Sequence, residues 1–113
     1  MVTTPRLVVP LMEAAQAQKH LTHNEAIRIF DIVCQLSVKS RVITAPPGSP
    51  AQGDCYIIPS GATGAWAGLT GKVAGYSDTS WLILTPKLGW LCYVEAENLF
   101  VKYVSGVWAT TSI

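Results

Sequence analysis

Two histidines, His20 and His23, stand three residues apart with Glu25 close behind them. On a continuous helix that spacing places both imidazoles on one face, which is the start of a metal site. The zinc-protease pattern, however, needs His-Glu-x-x-His with its histidines four apart, and the chain has no third histidine to complete a ligand set. The pair therefore reads as part of a hydrogen-bonding network at a helix start, with no metal and no cofactor expected.

Nucleophilic and acid–base chemistry find little more. Cys34, Cys55 and Cys92 are odd in number and widely spaced, which excludes a disulfide framework and a zinc ribbon. Cys34 falls in an apolar helical stripe and the other two in strand-like runs, so all three are expected as buried structural thiols. The scattered acids Asp54, Asp78, Glu95 and Glu97 supply no convincing carboxylate pair; Glu95 and Glu97 flank one turn, as solvated loop residues do. The loop from Gly64 to Gly71 lacks the Lys-Ser/Thr of a phosphate cradle. No catalytic residue is expected, and the chain reads as a non-enzyme.

Two groups of residues remain as binding candidates. The first is the polar run containing Gln16, Gln18, His20, His23 and Asn24, dense in neutral donors and acceptors of the kind that pair inside an oligomer or attachment interface. The second is aromatic. Trp66, Trp81, Trp90 and Trp108 each follow a turn-like pair, and Trp66, Tyr76, Trp81 and Trp90 are candidate glycan-facing rings, since a flat aromatic at a turn either fills a core or stacks on a sugar. Trp66, in a stretch with glycines at 61, 64, 68 and 71, is expected to be the most exposed.

The elements that would position these residues follow from period and punctuation. Residues 1–21 read as an N-terminal arm or attachment segment, with Pro5 and Pro10 around Leu7-Val8-Val9. Thr22-His23-Asn24-Glu25 matches a capping box, and Ala26, Ile27, Phe30, Val33, Cys34 and Val38 recur at helical spacing, predicting a helix over about 23–39 within a 22–40 segment. Pro46-Pro47-Gly48-Ser49-Pro50 makes 41–53 a stiff connector. Residues 54–113 read as a Trp-rich antiparallel meander, with strands near 54–59, 72–76, 81–85, 90–94, 99–104 and 107–110. The expected class is α+β in a single domain: an arm and amphipathic helix packed on a meander of five or six short strands.

Composition bounds the partners. Eight Lys and Arg against seven Asp and Glu give no basic face for nucleic acid or anionic membrane. No apolar run approaches the ~20 residues of a membrane-spanning helix, and Met1 to Arg6 carry no secretory pattern, so no membrane insertion and synthesis in a reducing cytoplasm are expected. Only 13% of residues are charged while 50% are hydrophobic. Fifteen charged side chains spread thinly over the roughly 6,000 Å² exposed by a folded protein of this mass. Trp81-Leu82-Ile83-Leu84 and Leu91-Cys92-Tyr93-Val94 are apolar on both faces, so the sheet needs cover from two sides: the helix on one and a second subunit on the other. A homo-oligomer, trimer or pentamer, is expected.

Three strings of residues resemble a small family of unknown function found in tailed-phage structural proteins and in the head spikes of gene transfer agents. They are Ala14-Ala15-Gln16-Ala17-Gln18-Lys19-His20 running into Thr22-His23-Asn24-Glu25-Ala26 and Asp31; Pro46-Pro47, Ser49-Pro50, Gly53-Asp54 and Tyr56-Ile57-Ile58; and Gly61-Ala62-Thr63-Gly64-Ala65-Trp66-Ala67-Gly68 followed by Trp81, Pro86, Gly89-Trp90 and Trp108. Tyr76 stands where that family often has tryptophan, Cys55 where arginine is common, and Thr79-Ser80 where a glycine turn is usual. The resemblance implies a virion component assembled in the bacterial host cytoplasm, a head spike, fibre base or tail-fibre adaptor touching other capsid or tail proteins. With few residues after Trp108, it favours an attachment or capsid-surface role over direct receptor binding. The alternative expectation is a carbohydrate-binding module that grips host capsule or cell-wall polysaccharide through its exposed tryptophans.

Overall fold

The computed structural model describes residues 3–11 and 19–111, at 19–22 the backbone alone. One helix and two small sheets make an α+β arrangement: α1 (Lys19–Val33), β1 (Ser37–Val38), β2 (Cys55–Ile57), β3 (Val73–Ser77), β4 (Ser80–Leu84), β5 (Leu91–Val94), β6 (Leu99–Val104) and β7 (Val107–Thr111). A single 3₁₀ turn, Gly64–Trp66, interrupts the loop before β3.

The expected single meander divides in two. One sheet has the order β1-β5-β6-β7, the other β2-β3-β4. All pairings are antiparallel except β1 with β5, where Ser37 and Val38 lie parallel to Tyr93 and Val94. The break falls between β4 and β5, where Pro86 cannot donate to a ladder and the chain crosses from one sheet to the other. The sheets meet again beside β1 and β2, where the Lys39 N–H donates to the Cys55 carbonyl (2.8 Å) and the Ile57 N–H to that of Ser40 (3.2 Å). The Trp108 indole N–H on β7 donates to the Gly71 carbonyl (2.8 Å), tying the outer strand of one sheet to the loop entering the other.

The helix ends earlier than its apolar spacing predicts. It is already formed at Thr22, so the capping box does not mark its start, and it stops at Val33 rather than near 39. Gln35 turns the chain at φ 53, and Leu36 and Val38 enter the core as strand, Val38 with no exposed surface. The Arg6 guanidinium holds this stop by donating to the carbonyls of Asp31 (3.0 Å), Ile32 (2.5 Å) and Gln35 (3.0 Å), the orphan acceptors of a helix C-terminus.

Two clusters form the interior. The larger joins Ile32 and Leu36 to Val38, Cys55, Ile57, Val73, Cys92, Val94 and Val101, with Trp90 and Trp108 packed against it. The smaller, on the opposite face of the three-stranded sheet, is Tyr56, Ile58, Trp66 and Ala74, with Trp81 and Ile83 alongside. The second cover expected from another subunit is therefore supplied in part by the chain's own glycine-rich loop.

Candidate functional site

The helix faces the protein with a mixed face of Ile32 and polar residues. Asp31 and Ile32 are each 1% exposed and Asn24 is buried, whereas Phe30 is 59% exposed and Ala26 and Cys34 lie at the surface. The cause is the N-terminal arm. Its turn, closed by the Thr4 N–H on the Val9 carbonyl (2.9 Å), presents the N–H groups of Arg6 and Leu7 to the two carboxylate oxygens of Asp31 at 3.1 and 2.6 Å. A buried carboxylate taking two backbone donors is well satisfied, and losing it would orphan both. The helix is thus clamped through Asp31 and Arg6, and the stripe that its spacing marks as inward-facing is turned outward. A lone Asp amid Ile27, Phe30, Val33 and Cys34 was the available signal that the other face is the anchored one.

Around the outward stripe the surface stays mostly apolar. Val33 at the end of α1, Leu36, Leu91 (44% exposed), Tyr93 and Phe100, with the polar Gln35 and Ser37, line a shallow groove of about 440 Å³, one helical turn from Phe30. A contiguous apolar patch of this kind is the ordinary mark of a protein–protein contact.

Among the predicted interface residues, Gln16 and Gln18 lie outside the described residues, as does the side chain of His20. His23 is exposed on α1. Asn24 is buried within the chain and already partnered, so it does not face an outside surface as expected. The polar run is not brought together as one patch.

The aromatic set divides as well. Trp66 has no exposed surface; its ring lies 5.5 Å from Tyr56 and 5.3 Å from Trp81, and its N–H is buried with no hydrogen-bond partner. The expectation that it is the most exposed tryptophan and can face a glycan is overturned: the glycines of 61–71 let the loop fold back over the sheet and insert the indole as core. Trp90 is half-buried and packs on the larger cluster. Tyr76 and Trp81, cross-strand neighbours with ring centroids 5.1 Å apart, keep partly exposed edges.

Burial pushes the Cys55 thiol up to about 11 and that of Cys92 to about 12, so both stay protonated and unreactive at neutral pH. Cys34, expected in the core, is exposed because the stripe that carries it points outward. The four acids flagged as carboxylate candidates each stand by a cation: Glu97 is gripped by Arg41 through two bonds of 2.7 and 2.8 Å, Asp54 and Glu95 share Lys39 at 3.8 and 4.0 Å, and Asp78 lies 3.8 Å from Arg28. No group of three or more His, Cys, Asp or Glu able to hold a metal occurs among the described residues. No helix there is long and apolar enough to cross a membrane.

A one-helix, two-sheet α+β domain with an arm-clamped helix and an outward apolar stripe is the class that these features define. Residues 23–109 match the family described as a protein of unknown function, DUF2793, and the chain belongs to that family. No curated protein matches it.

Proposed function

We propose that this chain is a non-enzymatic structural subunit of a tailed-phage particle. It oligomerises through the outward face of α1 and decorates the head or tail as a spike, fibre base or adaptor, after assembly in the bacterial cytoplasm. The observation that carries the reading is the inverted helix: Phe30 lies in water while Asp31 is sealed inside. Such an arrangement is costly for a solitary protein and ordinary for one whose helix meets a neighbour. The three strings that resemble phage structural proteins support the choice of neighbours: copies of itself, as a trimer or pentamer, and other capsid or tail proteins. Cryo-electron microscopy of purified particles tests this; density for the chain at defined, symmetry-related positions is the expected result, and its absence from mature particles would refute it.

A second reading, recognition of host polysaccharide, keeps one supporting observation. With Trp66 buried and Trp90 packed on the core, the platform shrinks to the partly exposed pair Tyr76 and Trp81. Trp81→Ala would abolish a fluorescence response to host polysaccharide if that pair stacks on sugar.

A further inference from the structure

The two tight hairpins of this chain solve the same problem differently. β6 and β7 are joined by Ser105-Gly106, with both central residues at positive φ (51 and 78) and glycine in the second place. β3 and β4 are joined by Asp78-Thr79, also at positive φ (54 and 61), with a β-branched residue where the other hairpin has glycine. Positive φ at both positions is the geometry that favours Asn-Gly or Asp-Gly, and threonine there is a strained choice. Strain of this kind persists where a side chain is needed for something other than the turn.

What surrounds Thr79 supplies that need. Two cavities, of about 250 and 420 Å³, open between α1 and this hairpin and share Arg28, Ser77 and Asp78; the first adds Gln52 and Thr79, the second Glu25. They lie on the helix side of the sheet, opposite Tyr76 and Trp81, since Ser77 alternates with Tyr76 along β3. The Arg28 side chain is only 21% exposed, and its ion pair with Asp78 is a loose 3.8 Å. Gln52 uses its amide oxygen on the Asp78 N–H (2.8 Å), which leaves its NH₂ group to donate. The Thr79 hydroxyl donates to the Asp78 carbonyl (2.6 Å), which leaves its oxygen to accept. The cleft thus combines a guanidinium, carboxylates, an amide and hydroxyls with an apolar wall from Pro5 and Leu11 of the arm and Leu82 of β4, the mixture that a sugar ring with its hydroxyls presents in return. Among the described residues its two carboxylates, Glu25 and Asp78, outnumber one cation, Arg28, which disfavours an anionic guest.

We propose that this cleft binds a neutral sugar. Adjacent ring hydroxyls would donate to Asp78 and to the Thr79 hydroxyl oxygen and accept from Arg28 and the Gln52 amide. The site takes its ligand class from the second reading above but none of its residues, and it holds whether or not the chain is carried on a particle.

The test is titration of the ¹⁵N-labelled full chain, followed by amide shifts, with lactose, cellobiose and mannobiose, and in parallel with the anionic disaccharide digalacturonate. At least one neutral disaccharide is expected to move the amides of Gln52, Ser77, Asp78 and Thr79, saturating in the millimolar range, while digalacturonate binds more weakly. Thr79→Gly is expected to raise Tm by relieving the turn yet weaken binding at least tenfold; Asp78→Asn, at an exposed position, is expected to weaken binding with little change in Tm. Thr79→Gly protein that binds as tightly as the wild type would overturn the proposal, as would preference for digalacturonate. Shifts confined to Tyr76 and Trp81 would overturn it while sustaining the aromatic platform, and no shift with any neutral disaccharide would end both.

Discussion

The loop 61–71 and helix α1 lie on opposite faces of β3, and each seals an apolar side chain against it, but the helix buries a carboxylate as well. On one face Ile32 of α1 meets Gly75 so closely that a Cβ there would stand 2.4 Å from its Cδ1. On the other, Trp66 packs with Ala74 and Tyr56. The loop, irregular and glycine-rich, delivers a wholly buried indole; the helix, regular throughout, seals a carboxylate and leaves a phenylalanine in water. Regularity therefore says little about which element belongs to the interior. A loop closed down by a large aromatic becomes core, whereas a helix clamped by a polar contact at Asp31 has its apolar stripe to spare.

The sharpest way to break this contrast is at Trp66. Trp66→Ala removes the ring that closes the loop onto the sheet, and truncation of a buried aromatic costs about 3–5 kcal/mol. A large drop in urea midpoint is expected; a near-neutral result would mean the loop is not part of the core. On the helix side, Asp31→Ala orphans the N–H groups of Arg6 and Leu7 and releases the arm, at about 1.5–3 kcal/mol. Hydrogen exchange at those two amides should accelerate in parallel, and unchanged exchange would contradict the clamp. Gly75→Ala drives a methyl into Ile32 and is expected to lose about 1–3 kcal/mol. Trimming the neighbour in the double variant with Ile32→Val should recover part of that loss, and purely additive effects would deny the contact.

The smallest effect is electrostatic. Its bidentate bonds to Arg41 hold the Glu97 carboxyl below the ordinary carboxylate range. A carboxyl whose folded value is lowered adds stability that is complete above its unfolded value and lost as pH falls through the lowered one. Near the surface that amounts to a few tenths to about 1 kcal/mol. The stability difference between wild type and Glu97→Gln, followed by denaturant titration, should therefore vanish on acidification; a constant difference would place its origin elsewhere.

Much of this fold was legible in the amino-acid pattern. The strand positions of β3 to β7 and their turns stand close to where alternation and turn residues place them. The α+β class was legible too. The division into two sheets was not, because it depends on the parallel pairing of Ser37 and Val38 with β5, a contact between residues more than fifty positions apart. That same pairing pulls Leu36 and Val38 out of a helical pattern that locally favoured them. Trp66 was misplaced because glycine signals only a permissive backbone and is silent on whether the loop lies inside or outside. The helix face was misread because an apolar stripe is equally suited to a core or to a partner, and only the long-range contact of Arg6 and Leu7 with Asp31 decides between them. The cleft at Arg28 and Asp78 gave no signal at all: its residues come from the arm, the helix, the connector and a hairpin.

The central claim is that the outward face of α1 is an interface between protein chains. Light scattering of the purified chain and of Phe30→Glu, at matched concentration, tests it most directly. The wild type is expected at a whole-number multiple of 12.1 kDa, and the variant at 12.1 kDa with an unchanged far-ultraviolet dichroism spectrum. A wild-type chain that stays single-copy, or a Phe30→Glu variant as large as the wild type, would contradict it.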